Sequence, residues 1–194
     1  MITQLKRGFF LLLIMTVLTG LLYPLAVTAL AQLIFPAQAN GSLVYRNNQA
    51  VGSVLIGQAF SGPEYFHGRP SAAGQKGYDG AASSGSNLGP TNKALLAQIA
   101  QRAEDVRREN GKAPGTPVPA DLVTASASGL DPHISPEAAY FQVSRVARAR
   151  NLPEKEVRGL VESRVEDRVL GILGEKRVNV LQLNLSLDRM ETER

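Results

Sequence analysis

The residues of this chain that could perform chemistry are two histidines, one of them close to an aspartate, and a short run of serines. Asp131-Pro132-His133 places a carboxylate two residues from an imidazole, and His67 is the only other histidine. Two imidazoles and a carboxylate could bind a metal ion, and a histidine with an aspartate could activate a serine. The candidate serines are Ser83, Ser84 and Ser86. The two histidines lack helical i, i+4 spacing and no Gly-x-Ser-x-Gly elbow occurs, so we interpret them as hydrogen-bonded structural residues.

The sequence lacks the motifs with which a transport protein hydrolyses ATP by itself. It contains no G-x-x-x-x-G-K-[ST] loop and no Asp-Lys-Thr-Gly motif. It has no cysteine, which excludes disulfides, thiolate metal sites and a cysteine nucleophile. The formal charge is +4, and the excess basic charge is too small for a nucleic-acid surface. We therefore expect no catalytic site, no metal site and no cofactor of its own.

The elements that position these residues begin with an uncharged stretch from Gly8 to Pro36. It predicts a transmembrane helix over residues 9–35, because it is long enough to cross a hydrocarbon core of about 30 Å. A cleaved signal peptide is the alternative, but its apolar region would span only about 7–15 residues. Lys6 and Arg7 predict a cytoplasmic N-terminus over residues 1–8 and an extracytoplasmic soluble domain over residues 40–194.

Within the predicted span, Thr16, Gly20 and Pro24 recur every four residues and share one helix face. Small residues at this spacing allow a neighbouring helix to approach closely, so this face is the predicted contact with a partner in the membrane. The alternative is that glycine and proline are simply common in membrane helices.

The soluble domain is predicted to be a single mixed α+β domain. Nine glycines between residues 52 and 90 exclude a long helix there, whereas Phe60, Tyr65, Phe66 and Tyr78 provide anchors for an ordered loop. We expect this loop to fold onto residues 129–136. The predicted elements are a hairpin over 42–56 around Asn47-Asn48, a helix over 92–110 capped by Thr91, a helix capped by Ser135, a helix after Pro153 and a strand over 178–187.

Two groups of polar residues receive predicted positions on these helices. Gln142, Arg145 and Arg148 should lie opposite the apolar face of the helix that follows Ser135. Arg164 and Arg168 fall within the apolar arc of the next helix, so they should either form internal ion pairs or line a groove for a partner's acidic or carbonyl groups.

Taken together, the chain resembles the C subunit of the Kdp potassium-transporting P-type ATPase. The resemblance rests on ordered blocks that cover nearly the whole chain, while residues 101–117 match nothing recognised. The blocks are Tyr23-Pro-Leu25, Gly52-Ser-Val-Leu-Ile-Gly-Gln-Ala-Phe60, Tyr65-Phe66, Arg69-Pro-Ser-Ala72, Ser84-Gly-Ser-Asn-Leu-Gly-Pro90, Val118-Pro-Ala-Asp-Leu-Val-Thr-Ala-Ser126, Gly129-Leu-Asp-Pro-His-Ile-Ser-Pro136, Leu170-Gly-Ile-Leu-Gly-Glu175 and Val178-Asn-Val-Leu181.

The resemblance implies a non-catalytic accessory subunit of a bacterial inner-membrane potassium uptake complex. Its implied partners are a channel-like potassium-binding subunit, an ATP-hydrolysing subunit and a small membrane peptide, which handle the potassium and the ATP. The family is described as a catalytic chaperone that raises the ATP affinity of the hydrolysing subunit. An extracytoplasmic domain has no access to ATP, so we favour assembly over nucleotide binding, with Gln142, Arg145 and Arg148 as the candidates if nucleotide binds.

On the extracytoplasmic side, the predicted partner-binding residues are Asn87, Asn92, Asp131 and His133. They are short polar side chains in or beside a glycine-rich loop, suited to recognition rather than catalysis. Two functions of other classes stay open at this point. One is a membrane-tethered extracytoplasmic hydrolase that uses Asp131, His133 and a loop serine, and the other is a free-standing periplasmic binding module.

Overall fold

The computed structural model describes residues 1–192, which divide into a unit over Met1–Val51 and a unit that begins at Gly52. The first unit is built on one long apolar helix. Helix α1 spans Ile2–Val17, a π-helical turn spans Leu18–Leu22 and helix α2 spans Tyr23–Ile34. The helix from Ile2 to Ile34 is 33 residues long and contains an 18-residue stretch with a mean hydropathy of 2.3, which suits a membrane-spanning helix.

The π-helical turn lies directly before Pro24, and the sequence explains why. Proline has no N–H and its ring clashes with the carbonyl four residues earlier, which here belongs to Gly20. A wider turn relieves that clash without ending the helix. No atom lies within 4 Å of a Cβ placed on Gly20, so this position has free space in the isolated helix.

A short helix and a hairpin follow the long helix. Helix α3 spans Pro36–Ala39, strand β1 spans Leu43–Arg46 and strand β2 spans Gln49–Ser53. Asn47 and Asn48 adopt φ angles of 50° and 63°, the left-handed conformation that a two-residue hairpin turn requires. The hairpin predicted around this pair is therefore confirmed.

The second unit packs three helices against a small antiparallel sheet. Its regular elements are helix α4 (Lys93–Glu109), strand β3 (His133–Ile134), helix α5 (Pro136–Ala149), helix α6 (Glu154–Ser163), strand β4 (Val165–Glu166), strand β5 (Arg177–Asn179) and helix α7 (Val180–Thr192). The sheet order is β3-β5-β4 with both pairs antiparallel, so Val178 lies opposite both Ile134 and Val165. The α+β class predicted for this domain is confirmed.

The core of this unit lies between α5, α6, α7 and the sheet. Its fully buried side chains come from all of these elements and include Val143, Val157, Val178 and Leu183. Phe66 is also fully buried, although it belongs to the loop between β2 and α4. An aromatic ring from the glycine-rich segment thus contributes to the core, as its aromatic residues predicted.

The predicted strand over 178–187 is wrong, because only β5 is extended and α7 begins at Val180. Asn179 ends the strand and starts the helix: its side-chain oxygen accepts a hydrogen bond from the Gln182 backbone N–H at 3.1 Å. The alternation of leucine with polar residues suggested one solvent face. Asn184 and Ser186 are instead buried together with the leucines.

Two smaller predictions also fail. Asn92 caps α4 instead of Thr91, accepting from Ala94 N at 2.8 Å. Arg164 and Arg168 do not enter an apolar helix face, because α6 ends at Ser163 and both arginines are exposed. Arg168 instead pairs with Glu175 at 2.5 Å across the loop between β4 and β5.

Candidate functional site

The candidate site is built on the loop between β2 and α4, which folds onto residues 128–131. Backbone hydrogen bonds join Gly57 N to Leu130 O at 2.8 Å and Ser84 N to Ser128 O at 3.0 Å. The hydroxyl of Ser71 donates to Gly129 O at 2.6 Å. The predicted packing of these two segments is confirmed, and buried backbone groups that a strand would have paired are paired here by loop contacts.

Two glycines make this close approach possible. A Cβ on Gly129 would lie 2.5 Å from Ser84 O and 2.7 Å from Ala73 N, and the residue has a φ of 67°. A Cβ on Gly57 would lie 2.6 Å from Asp131 O. Both positions therefore exclude any side chain, because backbone atoms occupy the space that it would need.

Asp131 is the centre of a row of charged groups on this surface. Its carboxylate lies 3.3 Å from Arg69 Nη1, and it accepts a hydrogen bond from the His133 backbone N–H at 3.0 Å. The His133 ring is 3.4 Å from Asp131 and 4.0 Å from Glu166, which in turn binds Arg177 at 2.9 Å. The row thus connects the glycine-rich loop, β3, β4 and β5 through two carboxylates that lie between two guanidinium groups and an imidazole.

The electrostatics of this row favour an ionised Asp131. Burial by itself would raise the pKa of this carboxyl, but the hydrogen bonds from His133 and the charge of Arg69 outweigh it and hold the pKa below its usual value. The pKa of Tyr78 is raised, first by burial and then by the negative charge of Asp131. The Tyr78 hydroxyl donates to Arg69 O at 2.5 Å, so it positions the backbone of the residue that pairs with Asp131.

The structure brings only two of the four predicted extracytoplasmic residues into one contact. Asp131 and His133 touch, as above. Asn87 is exposed with a φ of 51°, and Asn92 is exposed with its side chain engaged in capping α4. Among the described residues, no hydrogen bond connects either asparagine to Asp131 or His133. The asparagines therefore have identifiable local roles, and their part in binding a partner stays a prediction.

The predicted polar face of α5 is wrong for two of its three residues. Gln142 and Arg145 are 1% and 5% exposed, whereas Arg148 is exposed. Gln142 accepts from His67 N at 2.8 Å and donates to His67 O at 3.1 Å. Arg145 donates to Tyr65 O at 3.0 Å and to the side chain of Asn110 at 3.1 Å. Both side chains face the loop instead of solvent.

Burial lowers the pKa of Arg145, and the negative charges of Glu109 and Glu64 oppose that effect. Its guanidinium also donates to the carbonyl of Pro63 and to Gln142 Oε1, so each polar nitrogen has a partner. Four of the five N–H donors of this guanidinium are thus engaged within the protein, which leaves at most one for a nucleotide phosphate. Gln142 and Arg145 together hold residues 63–67 against α5.

A cavity of about 230 Å³ lies beside this contact, with a mixed lining of polar side chains such as His67, Arg69 and Glu109 and apolar ones such as Phe60 and Leu122. Arg69 Nε is buried here without a hydrogen-bond partner. The cavity has room for a few water molecules or a very small polar ligand. Across residues 1–192, no group of three or more His, Asp or Glu side chains is arranged to hold a metal ion.

The contacts of the two histidines do not support the hydrolase alternative. The ring nitrogens of His133 face Asp131 and Glu166. Those of His67 face Gly62 O at 3.0 Å and Glu109 at 3.5 Å. Within the part of the chain that the structure describes, neither histidine is hydrogen bonded to a serine, which a triad requires.

Several residues that hold the site together were not predicted to do so. The main ones are Arg69, Arg145 and Asn184. The side chain of Asn184 forms two hydrogen bonds with the backbone of Phe66: it accepts from the N–H at 2.8 Å and donates to the carbonyl at 3.0 Å. For Asn184 the signal was its position inside a leucine-rich run, but Gln182 shares that position and is only half-buried, so the signal did not single out Asn184. Arg69 and Arg145 have partners 62 and 80 residues away, which no local pattern indicates.

Comparison with known proteins gives matches that cover nearly the whole chain. Residues 5–189 match the family described as KdpC, the K⁺-transporting ATPase c chain. A potassium-transporting ATPase KdpC subunit from Myxococcus xanthus is 64% identical over 89% of this chain and 82% of its own length. Those of Methylococcus capsulatus and Bradyrhizobium diazoefficiens are 55% and 52% identical, covering 98% and 97% of this chain and 100% and 98% of their own lengths.

Proposed function

The chain belongs to the KdpC family of K⁺-transporting ATPase subunits, and we propose from this membership that it is a non-catalytic accessory subunit of an ATP-driven potassium uptake complex. Its role is to assemble with the complex and to support its activity. We assign potassium binding to a channel-like partner subunit and ATP hydrolysis to a second one, with a small membrane peptide as the third partner.

The single observation that supports this function best is the similarity to the family over residues 5–189, which is nearly the whole chain. One apolar helix of 33 residues is joined to a domain whose histidines face carboxylates and a carbonyl. One helix has no pore, so transport requires helices from other subunits. The described residues are better suited to binding a partner protein than to catalysing a reaction.

We place the N-terminus in the cytoplasm and residues 40–194 outside the inner membrane. The support is the pair Lys6 and Arg7 at the start of a span that has no other charge before Arg46. On this topology the folded domain is separated from ATP by the bilayer. Any direct nucleotide contact would fall to Arg148, because Gln142 and Arg145 are engaged within the domain.

In the membrane, we propose that Thr16, Gly20 and Pro24 form the contact with a partner helix. The free space around Gly20 supports this, since a neighbouring backbone could approach closely there. Outside the membrane, we propose that Asn87, Asn92, Asp131 and His133 contact the channel-like subunit. All four lie at least partly exposed, and Asp131 is held in its charged form.

The test is purification of the full-length chain, tagged at its C-terminus, from cells that also produce the other ATPase subunits. We expect the partners to co-purify and potassium-stimulated ATP hydrolysis to fall at least tenfold when the chain is omitted. The chain alone should hydrolyse neither ATP nor ester substrates. Isolation of the chain without partners, with unchanged ATPase activity in its absence, would reject the proposal in favour of a tethered enzyme or a binding module.

A further inference from the structure

The loop that joins β4 to β5 carries four exposed aliphatic side chains at its tip. Val169, Leu170, Ile172 and Leu173 are 55%, 85%, 75% and 58% exposed. We call residues 169–173 the apolar tip. Single exposed aliphatic residues are common on protein surfaces, but four in one turn form a patch of the kind found at interaction sites.

The apolar tip has a defined backbone conformation. Val169 N donates to Leu173 O at 2.9 Å and Leu173 N donates to Val169 O at 3.0 Å, so the turn is closed by two hydrogen bonds. Leu170 has a φ of 55°, a conformation that bulky residues rarely adopt. Strain of this kind persists where the surrounding structure fixes it, and the two hydrogen bonds of the turn do so here. Leu170 is also the most exposed of the four side chains.

The charges beside the tip neutralise one another within the loop. Arg168 pairs with Glu175, Lys176 with Asp167 at 2.9 Å and Arg177 with Glu166 at 2.9 Å. Three acids and three bases therefore leave this stem without net charge. A surface made to attract anionic lipid would carry excess lysine or arginine and interfacial aromatic residues, and residues 165–177 have neither.

A groove of about 740 Å³ lies next to the stem, and we call it the acidic groove. Its lining includes the stem residues Asp167, Arg168, Glu175 and Lys176, and also Glu137 from α5 and Glu162 from α6. Four carboxylates face two cations, so the groove has two excess negative charges. Within residues 1–192 no ion pair involves Glu137 or Glu162, and both are exposed.

We propose that the apolar tip and the acidic groove together dock a partner protein subunit of the ATPase. The partner places an aliphatic pocket over Leu170 and Ile172 and a lysine or arginine between Glu137 and Glu162. This inference rests on the proposed function, because it needs a partner subunit. Charge complementarity selects this occupant: anionic lipid headgroups and a second copy of the same acidic surface are both repelled by the groove.

The first experiment removes the apolar contact. The variant Leu170→Asn, Ile172→Asn is compared with Leu96→Asn, which changes a leucine that is 54% exposed on α4. The complex is captured through a tag on the ATP-hydrolysing subunit and washed in detergent. We expect the retained amount of the double variant to fall at least fivefold and that of the control to stay at the wild-type level. Equal retention of all three overturns the proposal.

Folding of the double variant is checked by its unfolding midpoint in denaturant. Asparagine tolerates the left-handed conformation better than leucine does, so the midpoint should match or exceed that of the wild type. Low retention with an unchanged midpoint indicates a lost contact. A midpoint that falls along with retention would assign the tip a structural role and overturn the docking proposal.

The second experiment removes the charge of the groove with Glu137→Gln and Glu162→Gln. The amount of wild-type chain retained on the captured complex should decline as the salt concentration is raised from low to physiological. The double variant should be retained weakly at both salt concentrations. The control is Glu154→Gln, an exposed acid on α6 that does not line the groove. Salt dependence equal to that of the wild type in the groove variant would contradict the assignment of a basic partner residue.

The third experiment identifies the occupant. The chain has no cysteine, so Leu170→Cys can carry a single photoreactive benzophenone maleimide in the reconstituted complex. An adduct with another ATPase subunit supports the proposal. An adduct only with lipid, only with a second copy of this chain, or with nothing overturns it. If the wild-type chain co-purifies with its partners in that case, the accessory-subunit function stands and only the docking surface is rejected.

Discussion

Gln142 and Arg145 show how single side chains hold a long loop in place. From one face of α5 they bind backbone groups of Pro63, Tyr65 and His67, which lie 75 to 82 residues earlier in the chain. Hydrogen bonds to buried backbone groups matter most when one partner is lost, because the remaining group is then desolvated without compensation. These two residues are therefore the points at which the loop is most sensitive to substitution.

Replacement of Gln142 by alanine should destabilise the domain by about 1–3 kcal/mol, because it removes the hydrogen-bond partner of both polar backbone groups of the half-buried His67. The measurement is the denaturant midpoint of the full-length chain in detergent. Arg148→Ala is the matched control on the same helix, and it should change stability by less than about 0.5 kcal/mol since Arg148 is exposed. Equal effects of the two variants would mean that the contact with His67 contributes nothing.

Asp131 provides a prediction on pH at the same scale. Its pKa is lowered in the folded chain, so its ionised form adds stability above its unfolded pKa of about 3.9, and this stability is lost as pH falls through the folded pKa. Asp131→Asn should therefore cost on the order of 1 kcal/mol near pH 7, a size typical of a half-exposed ion pair. The cost should shrink below about pH 4. A difference between wild type and variant that is constant from pH 7 to pH 3 would contradict it.

At the scale of elements, the sequence predicted the start of α5 from local groups but missed α7, whose buried polar side chains depend on distant partners. The start of α5 was predicted because Ser135 and Pro136 form a local cap, and Ala138 N donates to Ser135 Oγ at 3.1 Å. Helix α7 was missed because Asn184 is satisfied by Phe66, 118 residues away, which allows a polar residue to face the core. The surroundings of Asp131 were missed for the same reason, since Arg69 is 62 residues away.

One prediction concerns the long N-terminal helix alone. Gly20→Leu fills open space within this chain, so it should leave membrane insertion intact while preventing close approach of a partner helix. We expect at least fivefold less of the variant to co-purify with the other subunits. Ala29→Leu is the matched control, because Ala29 is also exposed and lies nine residues from Gly20, on the opposite face of the helix. Undiminished co-purification of Gly20→Leu would reject that face.

At the scale of the whole molecule, function depends on which side of the membrane the folded domain occupies. The charge pattern that sets this orientation consists of two residues, Lys6 and Arg7, before an otherwise uncharged span. Orientation decides whether ATP or extracellular potassium is on the same side as Asp131 and the apolar tip. It therefore determines which partner surfaces these groups can meet.

Single-cysteine labelling measures this orientation directly. The chain has no cysteine, and Asn47 is exposed in the turn between β1 and β2. Asn47→Cys should react with a membrane-impermeant thiol reagent in spheroplasts to at least 80% of the extent seen after lysis. Thr3→Cys is the control near the N-terminus and should react only after lysis. The reverse pattern would place the domain in the cytoplasm and reopen direct nucleotide contact.

The contacts that fix the glycine-rich loop also set when it can fold. Phe66 is bracketed by Asn184, and a chain made at about 5–20 residues per second presents Asn184 roughly 6 to 24 s after Phe66. Structures that depend on such distant contacts form slowly, because a long segment must first be brought together. During those seconds the loop is an unprotected chain with several exposed aromatic rings. It is the segment that a chaperone or a protease would meet first in each new molecule.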